Sequence, residues 1–149
     1  MRRQFRIERV RAVEREYQAA TLAGRLLSEH LQRDPAPLGA VGLQQADFRN
    51  LLENLESTFL IRMFAECEAA LRDTWRNCFR RPTQPAVKDL LDAIAAYRSV
   101  PQHVLDTAHD VRRFRNALVH EEAEAAETLT LAEARRRLCR FLAFLPLDW

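Results

Sequence analysis

Apolar residues recur at alternating spacings of three and four through residues 3–33, and this period constrains the fold more than any other feature of the sequence. It is the heptad spacing of helices that pack side by side. Its members are Val10, Val13, Tyr17, Ala20, Gly24, Leu27 and Leu31. The pattern stops before Pro35 and Pro37, because the residue that precedes a proline is disfavoured in a helix. The sequence therefore predicts one long helix over residues 3–33, followed by a loop that contains Gly39 and Gly42.

Apolar faces with helical spacing continue through the rest of the chain. The predicted segments are a second long helix over 44–80, a third over 86–98, a fourth from Pro101 to Val119 or His120, and a last helix that begins at Thr130. The prolines of residues 81–85 separate the second helix from the third. Thr130 followed by Glu133 has the pattern of a capping box. Residues 121–127 are acidic and rich in alanine, and the sequence leaves them either as a loop or as a continuation of the fourth helix.

The composition favours helices over strands. The chain has only three glycines in 149 residues, whereas folds built from strands need more turn residues. Alanine, leucine, arginine and glutamate dominate instead, and these residues favour helices. The length is near that of one domain and sufficient for one continuous core. We therefore expect an all-α fold with a single helical domain over residues 1–149, an antiparallel helical bundle of four to five helices with two long N-terminal helices.

Several functional classes lack their signatures in this sequence. No GxxxxGK[ST], GxGxxG or HExxH motif is present, so we expect no cofactor and no metal. Cys67, Cys78 and Cys139 are odd in number and lack CxxC spacing, which argues against a disulfide framework or a zinc site. The net charge of +2 gives no global basic field. The sequence contains no apolar run of about 18 residues and no signal peptide, so we expect a cytoplasmic protein without membrane contact.

One arginine falls on the apolar face of the predicted fourth helix. At about 100° per residue, that face is formed by Val104, Ala108, Val111, Phe114, Leu118 and Val119. Arg115 lies in the middle of it. An unpaired guanidinium among apolar side chains is costly, so Arg115 needs an acidic or phosphate partner. Two carboxylates lie on apolar stripes of the second helix, Glu68 and Glu56, and Glu66 is expected to be more exposed.

The opposite side of the fourth helix carries polar groups. These are His109, Arg112, Arg113, Asn116 and His120. Asn116 and His120 are four residues apart and can touch. His120 lies near a helix C-terminus, where the dipole attracts a cation, and imidazole can act as a general acid or base. Arg112 and Arg113 are suited to hold a phosphate backbone, together with His109. The alternative interpretation of His120 is a helix cap or a surface histidine.

The segment Arg-Asn-Ala-Leu-Val-His at residues 115–120, with the aromatic and acidic segment 59–72 before it, resembles the HEPN superfamily of helical domains. That family is marked by an arginine, four to six residues and a histidine, often with asparagine directly after the arginine. The resemblance covers roughly residues 48–120. Two other pairs in this chain share the spacing, Arg25 with His30 and Arg98 with His103, but neither has asparagine after the arginine.

The resemblance implies a metal-independent endoribonuclease, in which the RNA 2′-hydroxyl attacks the adjacent phosphate and leaves a 2′,3′-cyclic phosphate. It implies that Arg115, Asn116, His120 and Glu68 are the catalytic residues. It also implies a homodimer in which two motifs face each other across one cleft. The expected partners are therefore RNA and a second copy of the chain. Negative charge in residues 121–127 opposes RNA binding and is an objection to this hypothesis.

Two other hypotheses remain open. The first is a non-catalytic HEPN-like module that binds a protein partner such as a nucleotidyltransferase antitoxin. Arg115 and Glu68 then form a structural pair and His120 is a cap. The second is an unrelated helical adaptor whose first helix forms an intermolecular coiled coil, as its heptad seam permits.

Overall fold

The structure is a computed structural model that describes residues 2–120 and 127–148, and within these ranges every regular element is a helix. The helices are α1 (Arg2–Arg33), α2 (Ala36–Ala40), α3 (Gln45–Glu53), α4 (Leu55–Cys78), α5 (Val87–Arg98), α6 (Gln102–Val119) and α7 (Leu131–Leu142). The expected all-α class and the long first helix are confirmed. The question of whether 121–127 continue the fourth helix concerns residues that, apart from Glu127, lie outside the described ranges.

The predicted second helix is interrupted at Asn54, which separates α3 from α4. Asn54 has φ −94° and ψ 0°, and its side-chain Nδ2 donates to the carbonyl of Asn50 at 2.9 Å. The Asn54 N–H donates to the same carbonyl at 3.1 Å, and the Asn54 carbonyl accepts from the Thr58 N–H at 3.0 Å. The backbone angles change while these hydrogen bonds are kept, so a continuous apolar pattern does not guarantee a continuous helix. The predicted loop after α1 also contains the short helix α2, which has Pro37 in its first turn.

The caps of the later helices follow the local sequence. Pro101 precedes α6 as its N-cap residue, one position before the first turn that the sequence predicts for it. The capping box of α7 is confirmed: Thr130 Oγ1 accepts from the Glu133 backbone N–H at 3.2 Å, and Glu133 Oε2 accepts from the Thr130 N–H at 2.9 Å. Ser99 ends α5 in the left-handed region with φ 49°.

The long helices form an antiparallel bundle. α1 runs antiparallel to α4 and to α7, and α6 runs antiparallel to α7. The ion pairs that define this register are Arg6–Asp73, Arg62–Glu16, Arg135–Glu14 and Arg137–Asp110. α5 packs against both α4 and α6 and contacts α6 through Asp92 and His109. The bundle of α1, α4, α6 and α7, with α5 at its side, agrees with the predicted four to five helices.

The core lies between these helices, and the heptad seam of α1 enters it only in part. Val10, Val13, Gly24 and Leu31 are buried, but Leu27 is 42% exposed. The second half of α1 extends towards α3. Gly24 lies so close to Leu52 that a Cβ added to Gly24 would be 2.5 Å from Cδ2 of Leu52. Within the described ranges, no helix has an apolar stretch long enough to cross a membrane.

Candidate functional site

Arg115 occupies a core-facing position of α6, as the helical period predicts. Val104, Ala108 and Val111 are buried on this face, and Arg115 follows Val111 after one turn. Its Cζ lies 5.9 Å from the centre of the Phe64 ring on α4, over the face of the ring. This contact is a cation–π interaction between the guanidinium and an aromatic side chain of the core.

The guanidinium of Arg115 lacks an anionic partner among the described residues. Its Nη1 donates to Asn116 Oδ1 at 3.1 Å, and that acceptor is neutral. Its Nε is buried and has no hydrogen-bond acceptor. A buried donor without an acceptor costs about 1–3 kcal/mol. Arg115 is therefore a partly buried cation whose contacts, an aromatic ring and an amide oxygen, leave its charge uncompensated.

Glu68, the preferred candidate partner of Arg115, is bound to another arginine. Its Oε1 accepts from Arg72 Nε at 2.8 Å and from Arg72 Nη2 at 2.6 Å. Arg72 also donates from Nη1 to the carbonyl of Pro85 at 3.4 Å. Because Glu68 and Arg72 are four apart on α4, they meet on one helix face without involvement of α6. The structural pair between Arg115 and Glu68 is therefore not formed.

Glu56, the second candidate partner, and Glu66 also have definite partners. Glu56 Oε1 accepts from the Leu131 backbone N–H at 2.7 Å, so it binds the N-terminus of α7, where the helix dipole favours negative charge. Glu66 pairs with Arg9, with Oε2 3.2 Å from Nε. The prediction that Glu66 is the more exposed acid is wrong, because its side chain is 16% exposed and that of Glu68 is 25% exposed. The reason is that α1 covers Glu66.

His109 and Arg112 lie in the contact between α5 and α6. His109 is 12% exposed, and its Nε2 is 2.7 Å from Asp92 Oδ1. Arg112 Nε lies 3.4 Å from His109 Nδ1. Burial raises the pKa of Asp92, but the hydrogen bond and charge of His109, assisted by Lys88, outweigh burial and hold that pKa below its usual value. Asp92, His109 and Arg112 therefore form a polar contact between α5 and α6 instead of a solvent-exposed row along α6.

Arg113, Asn116 and His120 lie at the outer end of α6. Arg113 is exposed and pairs with Asp110. His120 is exposed and follows α6 in an extended conformation, with φ −125°, and its backbone N–H donates to the Asn116 carbonyl at 2.9 Å. Asn116 thus contacts Arg115 through its side chain and His120 through its main chain. The interpretation of His120 as the residue that ends the helix agrees with this geometry.

Five cavities of the described surface are lined by residues outside the segment from Arg115 to His120. One of those cavities, between α6 and α7, is lined by arginines that the sequence interpretation does not select: Arg136, Arg137 and Arg140. The available signal is the run of three arginines at 135–137 with a fourth at 140, on a helix with a capping box.

The cysteines do not supply a nucleophile. Cys67 is fully buried, and burial raises the pKa of its thiol, so the reactive thiolate is suppressed. Burial also raises the pKa of Cys78 and of Cys139. All three thiols are free. In the part of the chain that the structure describes, no cluster of His, Cys, Asp or Glu is suited to hold a metal ion.

At the end of α6, Asn116 contacts Arg115 through its side chain and His120 through its main chain. The guanidinium of Arg115 faces the Phe64 ring, and among the described residues no contact joins it to the exposed side chain of His120. The structure places Glu68, His109, Arg112 and Arg113 in contacts with other side chains. No family model, curated protein or solved structure matches the chain.

Proposed function

We propose that this chain is a metal-independent endoribonuclease of the HEPN type, which binds the scissile phosphate of RNA at the end of α6. The observation that carries the proposal is the guanidinium of Arg115, which is partly buried, has a buried Nε without an acceptor, and contacts no described carboxylate. An arginine fork is the side chain best matched to a phosphate. A phosphate oxygen would supply the charge-assisted acceptor that Arg115 lacks among the described residues.

The proposed reaction is an internal transfer at phosphorus. The RNA 2′-oxygen bonds to the adjacent phosphorus as its proton passes to a base. The bond from phosphorus to the 5′-oxygen breaks, and that oxygen takes a proton from an acid. Arg115 stabilises the negative charge on the phosphate oxygens, and Asn116 holds Arg115 through its side-chain oxygen. His120 transfers a proton, because imidazole gains and loses a proton near neutral pH.

A second copy of the chain completes this site in the proposal. Acid and base act on opposite sides of the phosphorus, and one copy offers a single histidine in the motif. His120 is exposed, so an opposing surface is needed to enclose the phosphate in a cleft. Glu127, the last acid of the stretch after His120, pairs with Arg137 at 3.4 Å.

The test is cleavage of mixed RNA by purified protein in excess chelator, with product ends identified by mass spectrometry. We expect cleavage with 2′,3′-cyclic phosphate ends, and we expect Arg115→Met and His120→Ala to abolish it while the protein stays folded. Arg25→Met and His30→Ala are matched controls, because that pair has the same spacing but lies on α1. Retention of full activity by Arg115→Met, or equal loss in the α1 controls, contradicts the proposal.

A second candidate is the non-catalytic module that binds a protein partner, such as a nucleotidyltransferase antitoxin. The observation that favours it is apolar surface on the second half of α1, where Leu22 is 49% and Leu26 is 55% exposed. Exposed apolar patches mark interaction sites. Sedimentation tests this candidate. Two results together support it: the wild type never cleaves RNA, and the variant with both Leu22→Glu and Leu26→Glu loses an association that the wild type forms.

A further inference from the structure

A groove between α6 and α7 presents a row of arginines. It has a volume of about 280 Å³ and is lined by Thr107, Glu133, Arg136, Arg137 and Arg140. Thr107 lies eight residues before Arg115, about 12 Å along the axis of α6, because each residue advances the helix by about 1.5 Å. The groove is thus separate from the end of α6 where the cleavage site is proposed.

Two of these arginines have no carboxylate partner among residues 2–120 and 127–148. Arg136 is exposed and forms no ion pair there. Arg140 Nη2 lies 3.0 Å from His103 Nε2, which accepts the hydrogen bond as a neutral ring nitrogen. Arg137, by contrast, pairs with Asp110 at 3.0 Å and with Glu127 at 3.4 Å. The positive charge of Arg136 and Arg140 is therefore open to an external anion.

The acid in the groove lining is directed towards the helix end. Glu133 Oε2 accepts from the backbone N–H of Thr130 at 2.9 Å and from its hydroxyl at 2.8 Å. These hydrogen bonds, with the charges of Arg136 and Arg137, hold the pKa of Glu133 below its usual value. Its carboxylate is thus bound within the capping box and forms no direct ion pair with Arg136 or Arg140 among the described residues.

We propose that this groove binds the phosphodiester backbone of single-stranded nucleic acid, with Arg136 and Arg140 on successive phosphates. The two residues are four apart, about 6 Å along the helix axis, which is comparable to the separation of neighbouring phosphates in an extended strand. Each guanidinium can bind a phosphate by two parallel hydrogen bonds. A groove between two helices suits a chain, whereas a membrane surface requires a flat or convex face. This binding does not depend on the proposed cleavage.

The test is binding of a fluorescent single-stranded RNA with 2′-O-methyl groups, which cannot be cleaved by 2′-hydroxyl attack. We expect Arg136→Gln with Arg140→Gln to weaken binding about tenfold. We expect the slope of log affinity against log salt to fall by about 1.4 between about 50 and 200 mM salt, from two lost contacts. Arg25→Gln with Arg33→Gln is the control, because it removes the same charge from exposed positions on α1.

Three results overturn the inference: unchanged RNA binding by the Arg136/Arg140 variant, an equal loss in the α1 control, or arginine-dependent binding to anionic phosphatidylglycerol vesicles without RNA binding. Circular dichroism melts of both variants show whether folding is retained. A groove variant that loses binding of this RNA, in a protein that never cleaves natural RNA, supports the groove and contradicts only the nuclease. The two proposals therefore fail separately.

Discussion

Replacing Arg115 with methionine tests whether this arginine serves the fold or a ligand. Arg115 Nε is buried without an acceptor, which costs the folded state about 1–3 kcal/mol. Methionine keeps an unbranched side chain in the same place and removes that cost. It also removes the hydrogen bond to Asn116, about 0.5–1.5 kcal/mol, and the contact with the Phe64 ring, about 0.5–1 kcal/mol. Losses and gain nearly cancel, so the free energy of unfolding should change by less than about 1 kcal/mol.

The matched control is Arg135→Met. Arg135 Nε is also buried without a well-aligned hydrogen bond, but unlike Arg115 it has an anionic partner, because it lies 2.7 Å from Glu14 Oε2; its side chain is 27% exposed. Removing Arg135 leaves the carboxylate of Glu14, which is 18% exposed, without its partner. We expect a loss of about 1–3 kcal/mol, less than the roughly 3–5 kcal/mol of a fully buried pair, because both side chains keep some contact with water.

Urea unfolding followed by far-ultraviolet circular dichroism measures both variants. Arg115→Met should unfold within about 4 °C of the wild type in a parallel thermal melt, since about 1 kcal/mol corresponds to roughly 2–4 °C at this chain length. A loss of about 3 kcal/mol or more in Arg115→Met would refute the reasoning, because it indicates a structural ion pair. A loss equal to that of Arg135→Met would refute it as well.

Three further predictions concern other contacts. Glu56→Ala should lower the free energy of unfolding by about 1–2 kcal/mol in urea, because the Leu131 N–H at the start of α7 loses a charged acceptor; an unchanged midpoint contradicts this. Cys67 should resist iodoacetamide in the native protein and react after unfolding, as peptide mass mapping shows, because burial raises the pKa of its thiol; alkylation of the folded protein at Cys67 contradicts it. The pKa of Asp92 is depressed when folded, so its contact with His109 stabilises above about pH 4 and is lost as pH falls below that. Asp92→Asn should therefore reduce the change of the urea unfolding midpoint with pH in the acid range. An unchanged pH dependence contradicts the stabilising role of the Asp92–His109 contact.

The helices could be predicted from the sequence because their signals are local. The period of α1, the prolines around residues 81–85 and the capping box at Thr130 each act within a few residues. The break at Asn54 could not be predicted in this way, because apolar residues continue on both sides of it and the break is a departure of the Asn54 backbone angles, φ −94° and ψ 0°, from those of a helix. A pattern of hydrophobicity does not report such a local change in backbone angles.

The site was predictable in part. Helical geometry places Arg115 on the face of Val104 and Val111, where the structure has it. The partners of the charged residues were not predictable, because they depend on which helices meet. Glu66 is covered by α1, and His109 is covered by Asp92 of α5. Sequence spacing within one helix does not report such contacts between helices.

The most direct test of the central claim observes the Nε–H group of Arg115 by nuclear magnetic resonance, assigned by comparison with Arg115→Met. The account predicts a signal without a protein acceptor in the free protein, which shifts downfield when 2′-O-methyl RNA is added, while the corresponding signal of Arg135 stays in place. An Arg115 signal that does not move at saturating RNA would contradict it, because the guanidinium then has no part in binding phosphate.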